Sequence, residues 1–160
     1  MTDETTEAPL VLLAASVAPR AKATSYPEPF ASRMARREKR ALGAPFGLTN
    51  FGVNLTRLSP GGESSILHAH TKQDEFIYIL HGTPTLVTDR GETILSPGMC
   101  AGFPANGLAH QLVNRTDEDV VYLEVGDRSA DDQGIYPADD LQATLEAGQW
   151  VYSHKDGRRY

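Results

Sequence analysis

Cysteine is almost absent. Cys100 is the only one in 160 residues, which excludes an intramolecular disulfide framework. Long apolar runs are also missing, and nothing approaches the ~20 residues of a membrane-spanning helix. The longest run, Leu10 to Ala18, is interrupted by Ser16. The segment before it carries Asp3, Glu4 and Glu7 but no Lys or Arg, the wrong sign for a secretory leader. Basic residues are outnumbered, 15 against 21 acids, for a net charge of −6. That balance argues against a nucleic-acid partner. Together these absences predict a cytoplasmic protein with neither membrane nor nucleic acid as partner. What is present is an apolar fraction of 40%, enough for one core in a chain of single-domain length.

Charge and proline divide the chain. Residues 1–45 hold seven basic and five acidic groups, while the remainder holds eight and sixteen. Pro9, Pro19, Pro27, Pro29 and Pro45 interrupt the first part, which shows no sustained periodicity. The expected organisation is an N-terminal arm over 1–45 and a barrel over 46–160, its compact body ending near 126 and a tail following. Leu10 to Leu13 reads as a short strand that cannot stand alone and would cover a sheet edge, its own or a second subunit's. A homodimer is therefore expected. Arg33 to Arg40 reads as a short basic helix ending near Gly43, either contacting phosphate or an acidic partner, or lying against the acidic body.

The body reads as β throughout. Phe51, Val53 and Leu55 alternate with Gly52, Asn54 and Thr56, and Phe76-Ile77-Tyr78-Ile79-Leu80 is a continuous apolar strand. Further strands are expected at 85–88, 93–95, 110–114 and 120–125, separated by Gly- and Pro-bearing turns. About eight short strands at this spacing predict an all-β sandwich or small barrel.

The chemistry concentrates between Gly62 and Gly82. His68 and His70 are two residues apart, so on a strand they share a face about 6.5–7 Å apart. Glu75 follows a four-residue turn that lets the chain return antiparallel toward the same point. Two neutral imidazoles and a carboxylate suit a divalent metal. His110, opening a strand after a Gly- and Pro-rich connection, can supply a third imidazole.

These segments resemble the two motifs of the cupin superfamily. The first motif is Gly, five residues, His-x-His, four residues, Glu, six residues, Gly, and residues 62–82 fit it throughout. The second is Gly, five residues, Pro-x-Gly, two residues, His, three residues, Asn. Residues 98–114 fit it with one extra residue between Pro104 and Gly107. Tyr26-Pro27-Glu28-Pro29-Phe30, Phe51 to Leu55 and His154 to Gly157 are similar to a bacterial subgroup of single-domain cupins, some of them provisionally named sugar-phosphate isomerases. The resemblance implies a double-stranded β-helix, a jelly-roll barrel, with a metal held by His68, His70, Glu75 and His110.

A divalent ion with three imidazoles and one carboxylate keeps a charge near +1 and two open positions if six-coordinate. That suits a small, oxygen-rich, bidentate substrate. With Zn, Mn or Ni as Lewis acid, the expected reaction is isomerisation or epimerisation of a sugar or sugar phosphate through a metal-stabilised enediolate. With Fe(II), the alternative is a dioxygenase, and a non-catalytic metabolite-binding barrel is a third reading. The base is expected among Glu124 and Tyr122, which share parity on a late strand. Arg57, or Arg115, is a candidate for holding an anionic substrate group. His81 has the inward parity of Glu75 but lies too far along the strand to be a ligand. Cys100 reads as a buried, inert thiol, Asp74 as facing water, and Trp150 and Tyr152 as packing the tail onto the barrel.

Overall fold

A computed structural model describes residues 8–160. Its strands are β1 (Arg37–Ala41), β2 (Phe51–Leu58), β3 (Ala69–His70), β4 (Glu75–His81), β5 (Thr85–Thr88), β6 (Gly91–Ile94), β7 (Cys100–Phe103), β8 (His110–Val113), β9 (Val120–Asp127), β10 (Gln133–Ile135), β11 (Gln142–Glu146) and β12 (Gln149–Ser153). Among the described residues the one α-helical turn, α1, spans Phe30–Arg33. Every strand pairing is antiparallel. Five strands in the order β1-β2-β9-β4-β7 form one wall. The other wall joins a three-stranded sheet, β6-β5-β8, to a four-stranded one, β12-β11-β10-β3. The join lies at His68 and His110, which exchange two backbone hydrogen bonds of 3.2 and 2.9 Å. This is the expected jelly-roll barrel.

Alternation sets which side chains enter it. On β4, Ile77 and Ile79 point inward and are buried, whereas Phe76, Tyr78 and Leu80 point outward. On β9, Val120 and Tyr122 are buried and pair with Leu58 and Thr56 of β2. One apolar cluster, including Leu58, Ile79, Phe103, Leu112 and Tyr122, fills the closed end between the walls. A second gathers Phe30, Met34, Ile66, Tyr136, Leu141 and Ala143 under Trp150 and Tyr152, so the tail packs as expected. Cutting fully buried Ile79 back to Ala should cost about 2–5 kcal/mol. Gly82 closes the turn after β4 at φ +77°, and a Cβ there would sit 2.6 Å from the Asp119 carbonyl oxygen, so no other residue fits without displacing backbone.

Three local expectations are corrected. Within one chain Leu10 to Leu13 forms no strand and covers no edge of its own barrel: Leu10, Val11 and Leu13 are 94%, 81% and 72% exposed, and a 3-10 turn follows at Ala14–Ser16. The basic segment is not a helix through residue 40; α1 stops at Arg33, and Arg37–Ala41 pairs in register with β2. Alternating Arg37, Lys39 and Ala41 inward against Glu38 and Arg40 outward is a strand pattern that the density of charge hides. Cys100 is exposed because it pairs with Tyr78 on the outward face of β4. Strands β10–β12 also extend the sheet architecture well beyond residue 126.

No helix among the described residues is long and apolar enough to cross a membrane.

Candidate metal centre

His68 enters the barrel from the segment before β3, His70 from β3, Glu75 from the first position of β4 and His110 from the first of β8. Ligand atoms of His68, His70 and Glu75 lie within 4.8 Å of one another. His68 Nε2 is 3.0 Å from His70 Nε2. Glu75 Oε2 is 2.8 Å from His110 Nε2, 3.4 Å from His70 Nε2 and 3.5 Å from His68 Nε2. The four side chains named from the motifs therefore converge.

The extra residue in the second motif does not displace His110. Asn106 takes it up at φ +58°. Its N–H donates to the His70 carbonyl (2.7 Å), and that of Gly107 to Pro104 (2.9 Å). The N–H of Ala105 donates to Asp74 Oδ1 at 2.8 Å, so Asp74, although exposed, anchors the turn rather than simply facing water.

The donor set fits a divalent cation. Each ring directs Nδ1 at a group that only accepts: His68 at the Ile66 carbonyl (2.9 Å), His110 at the Leu108 carbonyl (3.3 Å) and His70 at Asp132 Oδ2 (2.5 Å). Nδ1 therefore carries a proton in each ring, and release of the protons that the Nε2 atoms share with Glu75 and with one another leaves their lone pairs aimed at the common point. Metal–nitrogen bonds of about 2.0–2.1 Å place neighbouring donors about 3.0–3.5 Å apart, which brackets most of these separations. Packing holds the rings: His110 stacks on Phe103 with centroids 3.6 Å apart, and His68 stacks on Tyr136 at 5.8 Å.

The electrostatics are those of a site built for positive charge. Burial works to raise the Glu75 carboxyl, but hydrogen bonds with His110, His68 and His70 hold it well below the usual range. Burial works against a charged His70, yet Glu75 and Asp132 outweigh it and push the ring up to about 9. His68 is pushed below its ordinary value by burial.

Sequence reasoning missed Asp132. It is fully buried, and besides His70 it accepts from the N–H of Lys72 (2.8 Å) and Gln73 (3.4 Å) and from the Thr71 hydroxyl (3.3 Å). It stands 62 residues from His70, in a polar stretch with no motif to mark it.

A cavity of about 450 Å³ opens beside the cluster. Glu124 and Tyr122 both line it. Glu124 pairs with Ile77 across β9 and β4, two positions from Glu75, making it a diagonal neighbour on the same face. Lys39 Nζ donates to both Glu124 oxygens at 2.7 and 2.9 Å, Asn54 Nδ2 donates at 3.2 Å, and Arg20 Nη2 holds Asn54 Oδ1 at 2.8 Å. Lys39 was hidden inside the basic segment; burial lowers its pKa although Glu124 opposes that. The Tyr122 hydroxyl is buried without a hydrogen-bond partner, and burial raises it well above the phenol range, so it is suited to donate a proton rather than accept one. Arg57 does not join them. It lies on the outer face, 45% exposed, paired with Asp119 (3.0 Å) and Glu38 (3.4 Å). Arg115 likewise sits outside on Glu92, and His81 is exposed.

Comparison with known proteins agrees with this geometry. The cupin domain family matches residues 54–126. A crystal structure from Silicibacter pomeroyi, described as a sugar phosphate isomerase of the cupin superfamily, superposes with a TM-score of 0.88 at 38% identity, covering 94% of this chain and 96% of that one. The chain belongs to the cupin superfamily. A second cupin-fold structure, from Acidithiobacillus ferrooxidans and provisionally named a sugar phosphate isomerase, aligns at 31% identity over 78% of this chain and 80% of its own, TM-score 0.71. The polyketide cyclase RemF of Streptomyces resistomycificus shares the fold at 23% identity, 73% and 78% coverage and TM-score 0.61. No curated protein matches the sequence. Cupins generally bind a divalent metal, and in this cupin the His68, His70 and Glu75 cluster is able to hold one.

Proposed function

We propose that this cupin isomerises or epimerises a sugar or sugar phosphate at a divalent ion held by His68, His70, Glu75 and His110. The observation that carries the reading is one cavity with two functions on its walls. Four donors converge on one side, and a half-buried carboxylate–ammonium pair, Glu124 and Lys39, stands on the same inner face. The likeness to cupins named sugar phosphate isomerases supports the substrate class.

The bound ion supplies Lewis-acid polarisation of a carbonyl. Glu124 Oε1 takes the proton from the hydroxyl-bearing carbon beside that carbonyl and returns it to the former carbonyl carbon. Lys39 Nζ or the Tyr122 hydroxyl passes a proton between the two substrate oxygens, so none is gained or lost overall. Asn54 and Arg20 keep the Glu124 carboxylate oriented, and the surrounding barrel limits access of water to it.

The test is incubation of the zinc- or manganese-loaded protein with pentose and hexose phosphates in D2O, followed by proton NMR. Deuterium should enter at the carbon beside the carbonyl, and E124Q should abolish the exchange. Oxygen consumption with no exchange would replace this reading with the dioxygenase. Neither, with tight binding, would indicate a metabolite-binding barrel.

The outer face of the five-stranded sheet supports a homodimer. Phe76, Tyr78 and Leu80 are 41%, 39% and 44% exposed beside Leu55, Leu123 and Val125, a contiguous apolar surface. We assign it to a second copy of this chain. Light scattering should give a dimer that Y78E converts to monomer; a monomer at every concentration would contradict it.

A further inference from the structure

The cavity carries more positive charge than the proposed chemistry uses. Arg20, Lys22, Arg37, Lys39 and Arg128 line it against Glu75, Glu124 and Asp127, so it is cationic before any metal binds, in a chain of net charge −6. Lys39 is accounted for by Glu124. Arg20, Lys22, Arg37 and Arg128 form no ion pair with any described carboxylate, whereas Arg33, Arg40, Arg57, Arg115, Arg158 and Arg159 each do.

Arg37 is the most informative. It enters the barrel from β1 with the parity of Lys39. Its terminal nitrogens donate to backbone carbonyls, Nη1 to Ser64 (2.5 Å) and Nη2 to Ala23 (2.7 Å). Its Nε is buried and has no partner at all. A half-buried guanidinium with one unsatisfied donor and no counter-charge is left for an anion in the cavity to complete. Arg20 reaches the same cavity from the chain that crosses its mouth, spending Nη2 on the neutral Asn54. Lys22, two residues on, is exposed at the rim and makes no side-chain hydrogen bond with the described residues. Ser25 and Ser64 line the same region.

The register separates the backbone of Arg37 from the metal cluster, while Arg20, on Asn54 beside Glu124, stands between the two. Arg37 pairs with Leu58, which pairs with Val120, six positions along β9 from the Gly126 that faces Glu75. At about 3.3 Å per residue this puts the backbone of Arg37 at the far end of the wall from Glu75, and its long side chain shortens the gap. A ligand touching both must be extended, with oxygens at one end and a negative group at the other.

We infer that Arg20, Lys22 and Arg37 form a subsite for the phosphate of a phosphate monoester. This rests on the reading of the cavity as the active site and specifies which substrates it takes. A dianion with three terminal oxygens can occupy three cations from three positions, whereas a carboxylate offers two oxygens and one charge. Arg57, on the outer face, has no part in it.

The probe is inorganic phosphate, titrated calorimetrically into the zinc-loaded full chain, with acetate as the carboxylate control. Phosphate should bind and acetate should not. R20Q/K22Q, both at exposed positions that do not threaten folding, should weaken phosphate about tenfold or more, the scale of one lost charge-assisted hydrogen bond. R37K, which keeps the charge but not the fork, should weaken it as well. H70A, with its metal site broken, should still bind phosphate. Equal affinity for acetate, unchanged affinity in R20Q/K22Q and R37K, or loss of binding in H70A would each overturn the subsite. The outcome is separable from the isomerase reading. Phosphate binding without deuterium exchange leaves the subsite and removes the isomerase. Exchange on sugar phosphates with a KM indifferent to K22Q and R37K does the reverse.

Discussion

Asp132→Asn isolates one carboxylate oxygen. Asp132 serves His70 through Oδ2 and the turn at Thr71–Gln73 through Oδ1. An amide can keep only one of these roles as acceptor. The backbone N–H groups of Lys72 and Gln73 cannot stop being donors, so the oxygen should stay with them and the NH2 turn toward His70. The imidazole can adapt by moving its proton from Nδ1 to Nε2, but that fills the lone pair aimed at the metal. Loss of such an orienting partner typically weakens metal binding about 10–100-fold, roughly 1.4–2.8 kcal/mol. The fold should suffer less, since the turn keeps its acceptor. Zinc affinity is measured by competition with a chromophoric chelator, and the tautomer by long-range nitrogen–proton NMR. Thermal melting of the metal-free proteins controls for folding. An affinity equal to wild type, or a His70 still protonated on Nδ1, would refute the reasoning.

Other consequences follow from buried hydroxyls and turns. Burial raises Tyr26, Tyr122 and Tyr136 above the ordinary phenol value of 10. The unfolded chain then loses these protons first, so their stabilising effect is complete below pH 10 and declines as pH rises past it, by up to about 1.4 kcal/mol per pH unit for each ring. Absorbance at 295 nm should show these tyrosines ionising only together with unfolding; smooth titration of all rings near pH 10 in folded protein would contradict it. Tyr122→Phe removes an unpartnered buried hydroxyl, so urea unfolding should show stability unchanged or raised by about 1–2 kcal/mol, while deuterium exchange slows. A loss of more than about 1 kcal/mol would show that the hydroxyl has a partner. Gly82→Ala must displace the Asp119 carbonyl and strain a left-handed turn, and should cost at least about 1–3 kcal/mol by the same measurement.

How much of this was legible in the sequence follows from distance along the chain. His68, His70 and Glu75 lie within one hairpin, so two-residue spacing and a short turn were enough to bring them together. His110 was legible because the motif around it is distinctive, and the Asn106 turn absorbed the extra residue. Asp132 and Lys39 were not, since each reaches the site only through sheet register: β10 beside β3, and β1 beside β2. The Leu10–Leu13 segment and the basic segment were misread for opposite reasons. The first has apolar residues but no neighbouring strand to pair with among the described residues. The second has a period-2 pattern whose inward members are cations rather than apolar groups, and only the cavity explains why cations point inward. Cys100 was judged by its apolar neighbours, but strand parity sends it outward with Tyr78. Arg57 failed as a substrate contact for the same reason, one position out of phase with Thr56.

The central claim is that His68, His70, Glu75 and His110 share one divalent ion. Elemental analysis and calorimetric zinc titration of protein purified without a histidine tag test it directly. The account predicts one ion per chain in the wild type and loss of that ion in E75Q and H110A with the fold retained. A wild-type protein that takes up no divalent ion, or that binds it equally well without Glu75 and His110, would contradict it.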